Sequence, residues 1–324
     1  MNINETPTII IAGPTASGKT CFSIELAKLI NGEIINADAM QLYSGFNILK
    51  ATPSKKEMNG IAHHLFGSID IEKKISVADW LKYTEEKIFE INLKKKLPIL
   101  VGGSGMYINS ALNGISNIPK ISYEVKSKVI NIFNQKGIEF VYEELKSSNK
   151  SIFKIEKNDK QRLIRAYEVF LQTGKPISWW QKKLTKQPII NNSYNILIFP
   201  KKENLYPQID KRLNKMIDIG LLREVKKHYS QNLSLELPSM KAIGIKFFFE
   251  YLSGKRNLQD AISNTQQESR RYAKRQMTWF RNSFSYDTIY ENLFEDDKKF
   301  VLNVVKALNL LWISSLLLIF FNLC

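Results

Sequence analysis

The stretch AGPTASGKT (Ala12–Thr20) follows the apolar run Thr8–Ile11 and decides the fold. From its first glycine onward it matches G-x-x-x-x-G-K-[ST], the pattern of a phosphate-binding loop. The glycines let backbone amides turn towards an anion, the lysine adds a positive charge, and the last hydroxyl can ligate Mg²⁺. The residues expected to hold the phosphates are Gly13, Pro14, Thr15, Ala16, Ser17, Gly18, Lys19 and Thr20, with Thr20 as the Mg²⁺ ligand. The motif predicts a bound oligophosphate but leaves its identity open.

Strands alternate with helices on either side of this loop. The segments predicted as strands are Thr8–Ala12, Glu33–Asp38, Pro98 into the glycine turn at Gly102, and Asn195–Phe199; those predicted as helices are Phe22–Ile30 and Val77–Leu93. Their apolar periodicities are those of buried strands and half-buried helices. The alternation predicts an α/β fold, a P-loop NTPase-like parallel sheet flanked by helices.

The stretch between about residues 117 and 190 shows helical patterns and no strand pattern, which predicts a helical insertion domain. The predicted organisation is therefore a first part of the core at 1–116, the insertion at 117–190, completion of the core with further helices at 191–290, and an extension at 291–324. Ala307–Cys324 carries no charge and would span roughly 27 Å as a helix. A membrane anchor, a packed helix and an accidental extension all fit this tail; the accidental extension is favoured because nothing before it calls for a membrane.

The overall charge suits a polyanionic partner. Lys and Arg number 47 against 31 Asp and Glu, which gives a net charge of +16 and favours nucleic acid. A lysine-rich proteome would produce the same balance without such a partner. The two cysteines have no metal-site spacing, and the N-terminus lacks the pattern of a signal peptide, so we expect a cytoplasmic protein.

Evidence for nucleotide hydrolysis weakens after the loop. A kinase or ATPase needs an apolar strand that ends in aspartate with a second acid, to hold Mg²⁺ and to place a water molecule. Ile34–Asp38 fits half of this requirement, but Ala39–Tyr43 supplies neither a second acid nor an arginine-rich lid. The loop motif alone is compatible with ATP, and the rest of the chain does not support it.

A series of ordered motifs resembles the tRNA dimethylallyltransferase (tRNA isopentenyltransferase) family. The motifs are Asp38–Tyr43 (DAMQLY), His63–Leu65, Ser76–Trp80, Leu100–Tyr107 (LVGGSGMY), Asn158–Ala166 (NDKQRLIRA), Arg212–Val225 (RLNKMIDIGLLREV), Lys241–Lys246 (KAIGIK) and Tyr272–Arg281 (YAKRQMTWFR). They extend over about residues 8–285. The resemblance implies that the loop holds the diphosphate of dimethylallyl diphosphate. It also implies transfer of the five-carbon group to N6 of the adenosine 3′ to the anticodon (position 37), in tRNAs reading codons that start with U.

Three residues are candidates for the chemistry. An exocyclic adenine amine needs a carboxylate to accept its proton, and Asp38 lies at the carboxyl end of a predicted strand, where ligands bind in such sheets. The alternatives for Asp38 are an outer acid of a Mg²⁺ site or a helix N-cap. The family pattern implies that Ser104 and Arg212 help to hold the diphosphate; without the resemblance, Arg212 would be assigned to the surface of an amphipathic helix.

The resemblance also implies a tRNA-binding surface. Its expected members are Asp38, Ala39, Met40, Gln41, Ser104, Lys126, Gln161, Arg162, Leu163, Ile164, Arg165, Lys241, Ala242, Ile243, Gly244, Ile245, Lys246, Arg271, Lys274 and Arg275. Basic residues interleaved with aromatics over Gln266–Arg281 suit an RNA backbone and unstacked bases, although a solvated charged face would show the same pattern. The target base must leave its stack to reach a buried carboxylate. The expected partners are the tRNA anticodon stem-loop, clasped by the insertion, and dimethylallyl diphosphate; the expected cofactor is Mg²⁺, the protein a monomer, and a membrane partner is not expected.

The chain departs from the family pattern at several positions. Asn47–Ala51 (NILKA) stands where the pattern usually reads Asp-Ile-Gly-Thr-Ala, so the loop beside the base is expected to be altered. Ser104 replaces threonine, Ala39 replaces serine, and Lys126 stands where arginine is common. The changes raise the question of a degenerating gene, but the phosphate loop, Asp38 and Arg212 are intact, so activity is expected.

Two alternatives from other classes stay open at this level. A P-loop kinase would need ATP and an arginine lid. An RNA-binding P-loop protein without catalysis would bind tRNA with a steep salt dependence.

Overall fold

The computed structural model describes residues 7–148, 155–182, 184–291 and 300–308. The strands in chain order are β1 (Thr8–Ala12), β2 (Gly32–Asn36), β3 (His63–His64), β4 (Leu97–Gly102), β5 (Ile115–Ser116), β6 (Leu184–Lys186), β7 (Ser193–Ile198) and β8 (Thr288–Tyr290). The helices are α1 (Lys19–Ile30), α2 (Lys55–Met58), α3 (Val77–Leu93), α4 (Gly105–Asn113), α5 (Tyr123–Ser148), α6 (Lys160–Thr173), α7 (Ile177–Gln181), α8 (Lys202–Asp218), α9 (Leu221–Tyr229), α10 (Ile245–Leu252), α11 (Leu258–Ser283) and α12 (300–308).

The chain forms two compact units. The first runs up to Ala111 and resumes at Ile190, and the second is Leu112–Ile189. Within the described residues, the first unit holds a six-stranded sheet in the order β3-β2-β4-β1-β7-β8. All of its pairings are parallel, so the predicted α/β fold with a P-loop NTPase-like sheet is confirmed. The carboxyl ends of all these strands meet at one edge, which is where parallel sheets bind ligands.

The sheet core is made of side chains from the central strands and the helices on its faces. Ile9 and Ile11 of β1 are fully buried and pack with Phe22 and Leu26 of α1. Helix α12 joins the same cluster through buried valines and Leu308. A second cluster, built by α8 to α11, lies beside the loop that follows β2.

The second unit is mainly helical and also contains short strands. Helices α5 and α6 pack around Val129, Val141 and Leu163, and α5 is kinked at Gly137, where φ is 79°. Strands β5 and β6 pair antiparallel. The prediction that 117–190 contains no strand is therefore wrong for β6, because a three-residue strand is too short to show an alternating pattern.

The C-terminal extension is described only in part. Phe300 stacks on Tyr290 at 4.0 Å between ring centroids and contacts Phe22 at 5.3 Å, which fixes α12 on the sheet core. None of the helices in the described part of the chain combines the length and apolar character needed to span a bilayer. Residues 309–324, most of the uncharged tail, lie outside the described residues.

Candidate active site

The phosphate loop joins β1 to α1 at the carboxyl edge of the sheet. Gly18 has φ 86° and forms the N-cap of α1, a left-handed conformation that favours glycine. A Cβ at Gly13 would lie 2.2 Å from the carbonyl oxygen of Ile198 on β7, so the close approach of the two strands requires glycine. The loop therefore leads from β1 directly into the first turn of α1, the end of a helix at which anions bind.

Lys19 is the charged group of this loop. Its Nζ donates hydrogen bonds to the carbonyl of Pro14, at 2.6 Å, and to the Ser17 hydroxyl. Burial lowers the pKa of Lys19 to about 7; the charge of Asp38 opposes this decrease and the charge of Arg212 adds to it. The ammonium is therefore held where a bound anion would stabilise it strongly.

Arg212 reaches the same loop from α8. Its Nη2 donates a hydrogen bond to the hydroxyl of Thr15 at 2.7 Å, and the side chain is half-buried. Burial lowers the pKa of Arg212, while the charge of Asp38 raises it. Arg212 therefore lies against the phosphate loop and not on a solvent-exposed helix face.

Asp38 lies two residues beyond β2, because the strand ends at Asn36 and not at Asp38 as predicted. The Asn36 side chain accepts a hydrogen bond from the Asp38 amide at 2.8 Å and donates to the Asp38 carbonyl, which closes a tight turn. The Asp38 Oδ1 accepts from the amides of Met40 at 2.9 Å and Gln41 at 3.4 Å. One carboxylate oxygen is therefore held by the backbone.

Ser104 connects this turn to β4. Its hydroxyl accepts a hydrogen bond from the Ala39 amide at 3.0 Å, and its own amide donates to the Ala37 carbonyl. A Cβ at Gly102 would lie 2.1 Å from that same carbonyl oxygen. The glycine turn after β4 thus packs directly on the Asp38 turn, and Ser104 holds both.

Gln276 of α11 links the two loops, and sequence reasoning did not assign it a role. Its Oε1 accepts from the Thr15 amide at 2.8 Å, and its Nε2 donates to the Gly103 carbonyl at 2.9 Å. Burial raises the pKa of Tyr272, one turn earlier, which hydrogen-bonds with Ser104 and Gln276. The available sequence signal was a glutamine on the same face of the helix as Ala273, Met277 and Phe280, because a polar side chain on an apolar face needs a hydrogen-bond partner.

The altered segment at 47–51 forms an ordered loop. The carboxylate of Glu224 on α9 accepts hydrogen bonds from the amides of Ile48 and Leu49. Among the non-glycine residues at 46–51, those with left-handed φ are Phe46 and Ala51. The position of Leu49 therefore does not require the glycine of the family pattern, and its side chain packs among buried apolar residues.

Comparison with known proteins agrees with this geometry. Residues 41–283 match the model of a family described as IPP transferase. The chain belongs to the IPP transferase family. The chain is 40% identical over 302 residues to a tRNA dimethylallyltransferase of Rickettsia felis (92% of this chain, 97% of that protein), and 39% identical over 298 residues to one of Acetivibrio thermocellus (91% and 95%).

Two solved structures are similar over nearly the whole chain. A tRNA isopentenylpyrophosphate transferase of Bacillus halodurans has a TM-score of 0.69 at 32% identity, covering 94% of this chain and 96% of its own. A eukaryotic dimethylallyltransferase acting on tRNA has a TM-score of 0.81 at 27% identity, covering 96% and 80%. The sequence-based assignment to the tRNA dimethylallyltransferase family is confirmed.

The residues predicted to bind tRNA fall into three groups in this family member. The exposed ones are Lys126, Gln161, Arg162, Arg165, Lys241, Lys246, Arg271, Lys274 and Arg275. The half-buried ones are Asp38, Ala39, Met40, Gln41, Ser104, Ile164 and Ile243. The buried ones, Leu163, Ala242, Gly244 and Ile245, have side chains in apolar cores or no side chain, so they cannot offer a side-chain contact to RNA. Lys126 and Gln161–Arg165 belong to the second unit.

The candidate Mg²⁺ ligand, Thr20, lies exposed in the first turn of α1. Among the described residues, no group of three or more histidine, cysteine or carboxylate side chains could hold a metal ion without a substrate. A single hydroxyl beside a phosphate loop fits Mg²⁺, which is commonly bound through one or two protein groups together with substrate phosphates.

Proposed function

We propose that this chain transfers a dimethylallyl group from dimethylallyl diphosphate to N6 of adenosine 37 in tRNAs that read codons starting with U. The observation that carries this proposal is one carboxylate facing two cations: Asp38 interacts electrostatically with both Lys19 and Arg212. A base and an anion-binding loop thus share one edge of the sheet. The sequence identity of 39–40% to tRNA dimethylallyltransferases supports the same reaction.

The reaction forms one bond and breaks one. N6 attacks C1 of the dimethylallyl group, the bond from C1 to the diphosphate oxygen breaks, and Asp38 accepts the proton that N6 loses. The backbone hydrogen bonds on one Asp38 oxygen leave the other available to the amine. A half-buried carboxylate can receive the base only after the base has left its stack.

The phosphate loop stabilises the leaving group. The diphosphate gains charge as the carbon–oxygen bond breaks, and Lys19 and Arg212, which already contact the phosphate loop before the reaction begins, can stabilise that charge. Ser104 holds the Asp38 turn through the Ala39 amide. When bound, Mg²⁺ would add positive charge to the diphosphate, with Thr20 as its protein ligand.

The exposed basic residues of α11 are proposed to contact the anticodon stem-loop, and those of the second unit are separate candidates for RNA contact. Arg275 lies 5.7 Å from the ring centroid of Tyr272, a pairing that suits phosphate and base contacts on one surface. The enzyme is proposed to act as a monomer. It acts in the cytoplasm, where its tRNA substrate is found.

The test is single-turnover transfer from labelled dimethylallyl diphosphate to an anticodon stem-loop with A-A-A at positions 36–38, with and without ATP. Wild type is expected to label the RNA without ATP, and a stem-loop with guanosine at position 37 is expected to stay unlabelled. Asp38→Asn should bind the diphosphate and lose transfer by about 10²- to 10⁴-fold. Asp218→Asn, at an exposed position of α8, is the matched control and should transfer normally.

Other outcomes identify the alternatives. Stem-loop binding by wild type without transfer would indicate an RNA-binding protein that lacks catalysis. An ATP-dependent phosphorylated product would indicate a kinase. Undiminished transfer by Asp38→Asn would remove Asp38 from the role of base.

A further inference from the structure

Lys50 is a buried lysine in the loop that follows the Asp38 turn. Lys50 is 9% exposed, and its Nζ donates hydrogen bonds to the backbone carbonyls of Tyr43 and Ser44. Buried lysines are rare unless their charge is compensated. The Lys50 ammonium therefore links the end of this loop to the backbone near its beginning.

Hydrogen bonds join the two ends of this loop, Gln41–Ala51, which we call the 41–51 loop. The Gln41 Nε2 donates to the carbonyls of Lys50 and Ala51, each at 2.9 Å. Lys50 thus links the two ends of the loop in two ways. Its carbonyl accepts a hydrogen bond from the Gln41 side chain, and its ammonium donates to the carbonyls of Tyr43 and Ser44. These hydrogen bonds join the two ends of the loop, and its first residue, Gln41, follows Asp38 by three positions.

The charges around Lys50 compensate its burial. Burial lowers the pKa of Lys50 to about 8, and the charges of Glu224 and Asp38 oppose this decrease. Glu224 lies on α9 and also accepts from the loop amides.

Other titratable side chains lie in or near the loop. Tyr43 lies within the loop, and His228 of α9 accepts a hydrogen bond from the Phe46 amide. Lys19 and Arg212 face Asp38 from α1 and α8. Lys50 is therefore a third cation, besides Lys19 and Arg212, that interacts electrostatically with Asp38.

We propose that Lys50 is a positioning residue, whose ammonium holds the 41–51 loop closed so that Asp38 and Gln41 meet the target adenosine in a fixed arrangement. This inference rests on the proposed transfer reaction. Charge-assisted hydrogen bonds are roughly twice as strong as neutral ones, so loss of the Lys50 proton loosens the loop without removing the side chain. A threonine, the residue of the family pattern, carries one short donor and cannot span the two carbonyls.

The test compares Lys50→Met, Lys50→Thr and Lys50→Arg with wild type in single-turnover transfer between pH 6.5 and 9.5. Dimethylallyl diphosphate is kept saturating, so that Lys19 stays paired with the diphosphate and does not contribute to the profile. Wild-type transfer is expected to fall as the pH rises through about 8. Lys50→Arg, which stays charged, should not show this fall.

Lys50→Met and Lys50→Thr should transfer about 10- to 100-fold more slowly at pH 7, the scale of a displaced catalytic group, and lack the alkaline fall. Their affinity for inorganic diphosphate should be unchanged, because in the described part of the chain the Lys50 ammonium donates its hydrogen bonds to Tyr43 and Ser44 and not to the phosphate loop. Lys95→Met makes the same change at an exposed lysine before β4, at the opposite edge of the sheet, and should match wild type.

Equal rates and equal pH profiles for wild type and folded Lys50→Met would overturn the positioning role while leaving the proposed function intact. An alkaline fall that persists in Lys50→Arg would also overturn it. If Lys50→Met does not fold, the profiles of Lys50→Arg and Lys50→Thr decide. Absence of transfer by wild type would instead overturn the proposed function, and this inference with it.

Discussion

Arg212 Nη2 donates to the Thr15 hydroxyl at 2.7 Å, so a helix from the second half of the chain fixes the tip of the phosphate loop. The amide of the same threonine donates to Gln276 of α11. Thr15 is thus held through both its side chain and its backbone by helices that the loop motif gives no reason to expect. The loop is prepared for an anion by tertiary contacts as well as by its own glycines.

Arg212→Lys should lose transfer even though it keeps a positive charge. A lysine presents a point charge and lacks the planar fork that can hold Thr15 and an anion together. We expect single-turnover transfer to fall by about 10²- to 10³-fold, the effect of removing one preorganised donor. Arg223→Lys, the same change at an exposed arginine of α9, is the control. A rate for Arg212→Lys within twofold of wild type would show that Arg212 does not act on the diphosphate.

Binding of inorganic diphosphate should take up a proton at Lys19. Its pKa of about 7 in the free protein leaves the amine largely neutral above that pH, and an adjacent anion favours the ammonium. Affinity should therefore fall as the pH rises above 7, by up to about tenfold per pH unit. Calorimetric titration at pH 8.5, in two buffers of different ionisation enthalpy, measures the proton directly. Lys19→Arg stays charged, so it should take up less, and equal uptake by both proteins would contradict the assignment.

Local signals predicted the parts of the structure that depend on neighbouring residues. Helix α3 begins and ends where its pattern predicts, because Ser76 and Asp79 form a capping box and the apolar spacing is regular. The phosphate loop was likewise recognised from a short motif, whereas the turn at Asp38 was predicted as the end of a strand.

Contacts between distant residues were not predictable in this way. Gln276 and Thr15 are 261 positions apart, and nothing in either segment indicates the other. Glu224 holds the 41–51 loop across 176 positions. Strands β3 and β8 were missed because two or three residues are too few for a periodic pattern.

Glu33 should stabilise the sheet in a pH-dependent way. Its side chain is 3% exposed and accepts from Lys96 and His64 at 2.8 Å and Lys94 at 3.2 Å. Burial opposes its charge, but these hydrogen bonds lower the pKa of Glu33 from 4.5 to about 2. Since the folded-state pKa is depressed, the stabilisation is present above pH 4.5 and is lost as the pH falls towards 2.

Glu33→Gln, which mimics the neutral acid, should therefore lower the free energy of unfolding by about 2 kcal/mol at pH 7 and by less at pH 3. Urea unfolding at both pH values measures the difference. Glu25→Gln removes an exposed i,i+3 pair with Lys28 and should cost less than about 0.5 kcal/mol at either pH. A Glu33→Gln effect that is the same at pH 7 and pH 3 would exclude the electrostatic explanation.

The C-terminal extension should be needed for stability up to residue 308. Val301, Val304 and Leu308 are buried against the sheet core, and Phe300 stacks on Tyr290. A chain ending at Tyr290 would expose this apolar surface, and burial of one such side chain is worth about 1.5–3 kcal/mol before the cost of ordering the helix. We expect a chain ending at 308 to keep the transfer rate and to unfold at a much higher temperature than one ending at 290. Thermal unfolding and single-turnover transfer of both chains measure the contrast. Equal melting temperatures would mean that α12 adds nothing to the core that it contacts.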